Sequence, residues 1–101
     1  MTINYSDELI EYMDQRHKDC ILVDIASSNT CDLDVTEMYL RFISDSHADR
    51  LLNSGKGYRV HEAPRGRLII PPYNLNIRDT VSVYLKTFLF FKLIKQDGIT
   101  L

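Results

Sequence analysis

Apolar positions recur at more than one spacing along the chain, and each spacing predicts an element. Thr2 to Tyr5 reads as a short first strand, with Ile3 and Tyr5 on one side. Ser6 then precedes Asp7 and Glu8. A serine hydroxyl can accept from free backbone N–H groups, and acids favour the first turn, so a helix starts here. Leu9, Ile10, Met13 and His17 fall at helical spacing, which predicts an amphipathic helix over residues 7 to 17. Its other face carries Glu11, Asp14, Gln15 and Lys18. "CILVDIA", residues 20 to 26, is β-branched and nearly continuous, as in a central buried strand. Asp24 is its only charge and must reach an edge or a partner.

Residues 27 to 34 read as a polar loop. Met38, Leu40 and Phe42 then alternate with Glu37, Tyr39 and Arg41, a strand with one wet face. "SDSHADRLLNSG" predicts a short helix or turn, capped by Asp45 or Ser46 and ended by Gly55 in the left-handed conformation. "GYRVHEA" and "RLIIPP" form a hairpin around a turn bracketed by Pro64 and Gly66. Pro71 and Pro72 stop its second strand. "YNLNIRD" reads as irregular. In "TVSVYLK", Val81, Val83 and Leu85 share one face. "TFLFFKLI" is apolar almost all round, so period cannot choose between strand and short buried helix. Phe88, Leu89, Phe90, Phe91, Leu93 and Ile94 are expected mostly in the core either way. Asp97-Gly98 is a turn signal before a last short strand, "ITL". The sum is one α+β domain over residues 1–101: an N-terminal strand and helix, then several short, mostly antiparallel strands.

Composition narrows the function classes. The 101 residues are 45% hydrophobic and 26% charged, ordinary for one globular domain with its own core. A formal net charge of -2 argues against a nucleic-acid binder. No apolar run reaches the roughly 18 residues of a membrane span. "MTINYSDELIEY" lacks the basic and apolar regions of a signal peptide, which leads to the expectation of a cytoplasmic protein. Its two cysteines are then thiols rather than a disulfide. Two cysteines and three histidines, without Cys-x-x-Cys, fall short of a spaced zinc motif.

"MTINYSDELIEYM" followed by "CILVDIA" resembles the opening of HesB-like proteins, the superfamily of A-type iron–sulfur carriers, where an early strand and helix lead into a sheet. The tail, "NIRDTVSVYLKTFLFFKLIKQDGITL", resembles more specifically a subgroup of small HesB-like proteins and selenoproteins. Their endings share a strand, a Phe-rich segment and a terminal "GI". In that subgroup a Cys-Cys or selenocysteine-Cys pair falls in the loop after the second strand, and Cys31 sits at about that place. The departures are in the sulfur donors. A-type carriers use a mid-chain cysteine and a C-terminal Cys-x-Cys, whereas this chain ends "DGITL" and offers one thiol in Thr30-Cys31-Asp32. A cluster usually takes four thiolates. The resemblance therefore implies the HesB-like fold in a non-catalytic binding or regulatory protein with no cofactor. One alternative is a metal or iron–sulfur binding protein using Cys31 across a dimer. Another is a small interaction protein of the inhibitor type.

Individual residues carry weaker signals. Asp32 and Asp34 beside Cys31 raise a thiol pKa, which opposes a reactive nucleophile. With His47 or His61 beside it, Cys31 would form a small Cys/His metal site; the plainer reading makes His17, His47 and His61 surface residues. Cys20 opens a buried strand and behaves as a small hydrophobe. Arg59, Arg65 and Arg67, with Lys56, suggest an interaction surface for an acidic partner protein or a nucleic-acid backbone. Arg59 and Arg67 would share one face of the hairpin as a basic strip. The plainer reading is a solvated face. Ser44, Asp45, Ser46 and His47 are explained by helix capping rather than by a triad. No nucleophile with a base and no cofactor fingerprint is apparent, which points away from an enzyme. Tyr84, Phe88, Phe90 and Phe91 are a large apolar supply for a domain that buries about two-thirds of its surface. Any exposed part of that stripe is expected to be a subunit contact, in a homodimer that uses the C-terminal region.

Overall fold

The computed structural model describes residues 1–30 and 33–101. Its elements run β1 (Thr2–Tyr5), α1 (Asp7–Gln15), β2 (Cys20–Thr30), β3 (Leu33–Ile43), α2 (Asp45–Leu52), β4 (Arg59–Glu62), β5 (Arg67–Ile70), β6 (Asn76–Phe88) and β7 (Phe91–Thr100). They form two sheets, ordered β1-β6-β7 and β3-β2-β5-β4. The architecture is the expected β-rich α+β, with its N-terminal strand and helix. The β1–β6 and β2–β5 pairs are parallel and the other pairs antiparallel. Among the described residues no helix is long and apolar enough to cross a membrane.

Local chemistry sets the helix ends. The Ser6 hydroxyl accepts from the Leu9 N–H at 3.2 Å, and Asp7 and Glu8 fill the first turn of α1. The helix stops at Gln15, two residues early, because His17 turns left-handed at φ 53. The Lys18 N–H then reaches back to the Met13 carbonyl at 2.9 Å, which closes the helix end. In α2 the cap is Ser44, accepting from the His47 N–H at 3.1 Å, rather than Asp45 or Ser46.

β2 is apolar on both faces because both are covered. Ile21 and Val23 point into the larger core with Tyr5, Leu9, Met13, Leu68, Ile70, Val81, Val83 and Ile99, which joins the two sheets and α1. Cys20 and Leu22 point the other way, with Ile69 and Ile43, under Ala48 of α2. Each large side chain so buried contributes about 1.5–3 kcal/mol. Asp24 does find partners: Arg41 Nε at 3.0 Å and the Tyr39 hydroxyl at 3.2 Å donate to the same carboxylate oxygen.

Several boundaries differ from the sequence pattern. Four strands run 10 to 13 residues, longer than the short strands expected. The supposed loop over 27 to 34 is largely hairpin: Ser27 pairs with Thr36 and Thr30 with Leu33. Polar side chains do not prevent a backbone ladder, so composition misread these paired residues as loop. Residues 76 to 79, read as irregular, belong to β6. Asp97-Gly98 lies inside β7 and is not a turn; the irregularity opposite it is in β6, where residues 78 to 81 stand against Gly98 alone between the pairs Ile77/Ile99 and Ser82/Asp97. A Cβ at Gly98 would stand 2.6 Å from the Thr80 carbonyl oxygen, so only glycine permits that crossing.

Gly66 locks the β4–β5 turn against the start of β2. Its φ is +70, and a Cβ there would overlap the Asp19 carbonyl oxygen. Gly66→Ala is expected to lose roughly 2–4 kcal/mol, from strain and displacement of β2 together. Urea unfolding checks this; an unchanged midpoint would show that the turn is not held against Asp19.

Candidate functional site

The residues singled out in the sequence do not converge. Cys31 lies outside the described residues. His47 sits in the first turn of α2 and His61 in β4, each partly buried. Among the described residues no group of three or more His, Cys, Asp or Glu is arranged to hold a metal ion. The sulfur donors do not fit a cluster either. Cys20 is fully buried under α2, and its Sγ–H donates to Asp45 Oδ1 at 3.1 Å. That leaves one further cysteine per chain against the usual four.

The basic strip is split by the hairpin register. Arg59 pairs with Ile70 and Glu62 with Arg67, so Arg59 and Arg67 project from opposite faces. Arg65 Nε bonds Asp14 Oδ1 of α1 at 2.6 Å. Arg67 is gripped by two carboxylates of α2, Asp45 and Asp49, each at 3.0 Å. Two of the three arginines are thus engaged within the molecule, and the third stands on the other face from Arg67.

Arg67 belongs to a cluster that the sequence did not reveal. Cys20 and Arg67 are parallel neighbours on β2 and β5. Their side chains meet Asp45 at the start of α2, whose backbone N–H donates to Asp19 Oδ2 at 3.2 Å. Arg67 also donates to the Asp45 carbonyl at 3.3 Å. The cluster pins the acidic start of α2 to the strand ends. The hydrogen bond from the Cys20 thiol, with that from Arg67, holds the Asp45 carboxyl below its ordinary range. Burial, then the bond to Asp45, pushes the Cys20 thiol up, the opposite of what a nucleophile needs. Asp45 lies 25 residues from Cys20 and 22 from Arg67, so no local spacing signals the contact.

The β6–β7 hairpin has a different character. β6 and β7 join through Leu89 and Phe90, with Phe88 paired to Phe91. "TFLFFKLI" is therefore strand, turn and strand. The expectation that its apolar residues are mostly core is overturned: Leu89 is 74%, Phe90 97%, Phe91 66% and Leu93 42% exposed, while Ile94 packs partly against the core. The hairpin projects past α1, so its end has nothing to pack on. Leu89 also adopts φ 56, which costs about 1–2 kcal/mol in a residue with a side chain. Between this hairpin and α1 runs a groove of about 630 Å³. α1 and its cap supply Glu8, Glu11, Tyr12, Gln15 and Arg16; the hairpin supplies Leu85, Phe90, Phe91 and Lys92. Lys92 Nζ reaches Glu8 at 3.3 Å across it.

No protein-family model matches the chain, and neither a curated protein nor a solved structure matches it. The groove and hairpin end are the candidate site, and their chemistry is that of a contact surface.

The thiol–carboxylate–guanidinium cluster sets a pH dependence. Asp45 has a depressed carboxyl pKa when folded, so its contribution is present above the ordinary carboxylate range and is lost as pH falls through the folded value. Cys20 and the buried Tyr5 hydroxyl are both raised, chiefly by burial, so their contributions are complete below ordinary thiol and phenol values and fade as pH rises through the folded ones. Urea unfolding across pH should show both limbs. Asp45→Asn should flatten the acid limb, and Cys20→Ala should make the alkaline limb shallower. Slopes identical to wild type in both variants would refute the assignment.

Proposed function

We propose that the chain is a non-catalytic binding protein on a HesB-like scaffold without cluster ligation, acting in the cytoplasm by docking a protein partner at the β6–β7 hairpin end. The observation that carries this is Phe90, 97% exposed at the tip of a hairpin whose turn places Leu89 in the left-handed region. A phenylalanine in water contributes nothing to folding, and a leucine in that backbone region opposes it. Buried in a partner's pocket, an aromatic anchor of this kind carries a large part of binding energy. The order of strand, helix and β-rich body supports the HesB-like part of the reading. The buried Cys20 thiol, doing structural work, supports the loss of ligation.

The test is a photo-crosslinking residue at position 90, with a control at Tyr73, another exposed aromatic away from the hairpin end. In cells that make the protein, position 90 should yield a discrete protein adduct that the control does not. The adduct, identified and purified, should bind wild type and lose at least about tenfold in affinity with Phe90→Ser. No adduct specific to position 90 would reject the reading.

A further inference from the structure

We propose that the partner at the hairpin end is a second copy of this chain, with the Leu89–Phe90 tip of each protomer seated in the α1 groove of the other. This rests on the binding reading above and names its partner.

The first argument is charge. Residues 80 to 96 contain Lys86, Lys92 and Lys95 and no carboxylate. The chain's net charge is -2, so with +3 on this segment the remainder carries -5. The hairpin is thus a cationic, apolar prong on an acidic protein. Its complement is already present beside it: α1 presents Asp7, Glu8 and Glu11, while Asp14 is taken up by Arg65. On the α1 side Glu8 and Glu11 line the groove against the single cation Arg16, together with Tyr12 and, from β6, Leu85, so two carboxylates and an apolar surface face a cationic tip. Because prong and groove adjoin, a two-fold arrangement lets each prong meet the other protomer's groove. One patch then satisfies itself twice, as an isologous contact requires. The Lys92–Glu8 ion pair is solvent-exposed and worth only about 0–1 kcal/mol, so it can exchange partners without a large penalty.

The second argument is area. With full aromatic side chains burying roughly 150–250 Å² each, Leu89, Phe90 and Phe91 at the tip expose about 450 Å² between them at their observed exposures. A standard interface takes about 800 Å² per partner. The prong supplies most of that, and the groove wall the rest. An anionic lipid surface fits less well, because a tip entering it would bring Glu8 and Glu11 toward the headgroups.

Sedimentation velocity on the full chain across a concentration series tests the pairing. Wild type should shift from monomer to dimer, and Phe90→Ser should weaken association by at least about tenfold. Its thermal midpoint should stay unchanged, since residue 90 packs on nothing in the monomer. In a mixture of 14N- and 15N-labelled protein, a photo-crosslinker at position 90 should join light to heavy copies at residues 8 to 16. A monomer at every concentration, adducts confined to single copies, or a dimer indifferent to Phe90→Ser would each overturn the proposal. A monomeric chain that still captures a different protein through position 90 in cells would refute self-pairing while sparing the binding reading. A monomer with no such adduct would remove both.

Discussion

The burial of β2 on both faces is the constraint from which the rest of the fold follows. A strand that sends Ile21 and Val23 one way and Cys20 and Leu22 the other needs two covers. α1 with the three-stranded sheet supplies one and α2 the other. A charge at the end of the covered stretch has to be neutralised locally, which is why Asp24 meets Arg41 and Tyr39 across the ladder. The start of the strand is fixed by polar contacts instead: Asp19 takes the Asp45 N–H, Cys20 bonds the Asp45 carboxylate, and Gly66 closes against the Asp19 carbonyl. Two distant segments, the start of α2 and the β4–β5 turn, therefore converge on two consecutive residues.

The three-stranded sheet is covered once only. Val81, Val83 and Leu85 of β6 fill the inner face. Tyr84, Leu93 and Phe91 stand on the outer one with Lys86 and Lys95, and all are exposed. No helix remains in the described chain to cover that face. The apolar content of the β6–β7 hairpin thus exceeds what one core can absorb. Contiguous exposed apolar surface of this size marks contact sites far more often than it marks neutral surface.

The legible parts of the sequence were those with local causes. Ser6 ahead of Asp7 and Glu8, the two-residue alternation of Met38, Leu40 and Phe42, and Gly66 after Pro64 each act within a few residues, and each placed its element correctly. The far end of the β2–β3 pairing was missed because polar residues at 27 to 30 pair as readily as apolar ones once β2 and β3 are aligned. Phe90 was misassigned for a related reason. Hydrophobicity reports what a side chain would gain by burial, and not whether the fold offers it a place. The Arg59–Arg67 strip failed on register, which depends on the turn length and decides which face each side chain takes. The Cys20–Asp45–Arg67 cluster left no trace because its members meet only through the packing of α2 on the sheet.

The α2 cluster and the β6–β7 hairpin use ionisable and apolar groups in opposite ways. At the α2 end, carboxylates and guanidinium groups are matched inside one chain: Asp45 and Asp49 take up Arg67, as Asp14 takes up Arg65. Charge there is largely neutralised, and little is left to attract a partner. At the hairpin end the lysines cluster on one prong and the acids on α1. They are joined by a single exposed ion pair among the described residues. Opposite charges segregated onto adjoining elements, beside uncovered aromatic rings, leave strong unspent attraction at that end. Interfaces gain specificity and encounter rate from complementary charge and affinity from buried aromatic anchors. Both ingredients are concentrated at the hairpin end, whereas Cys20, Asp45 and Arg67 are matched to one another in the packing under α2.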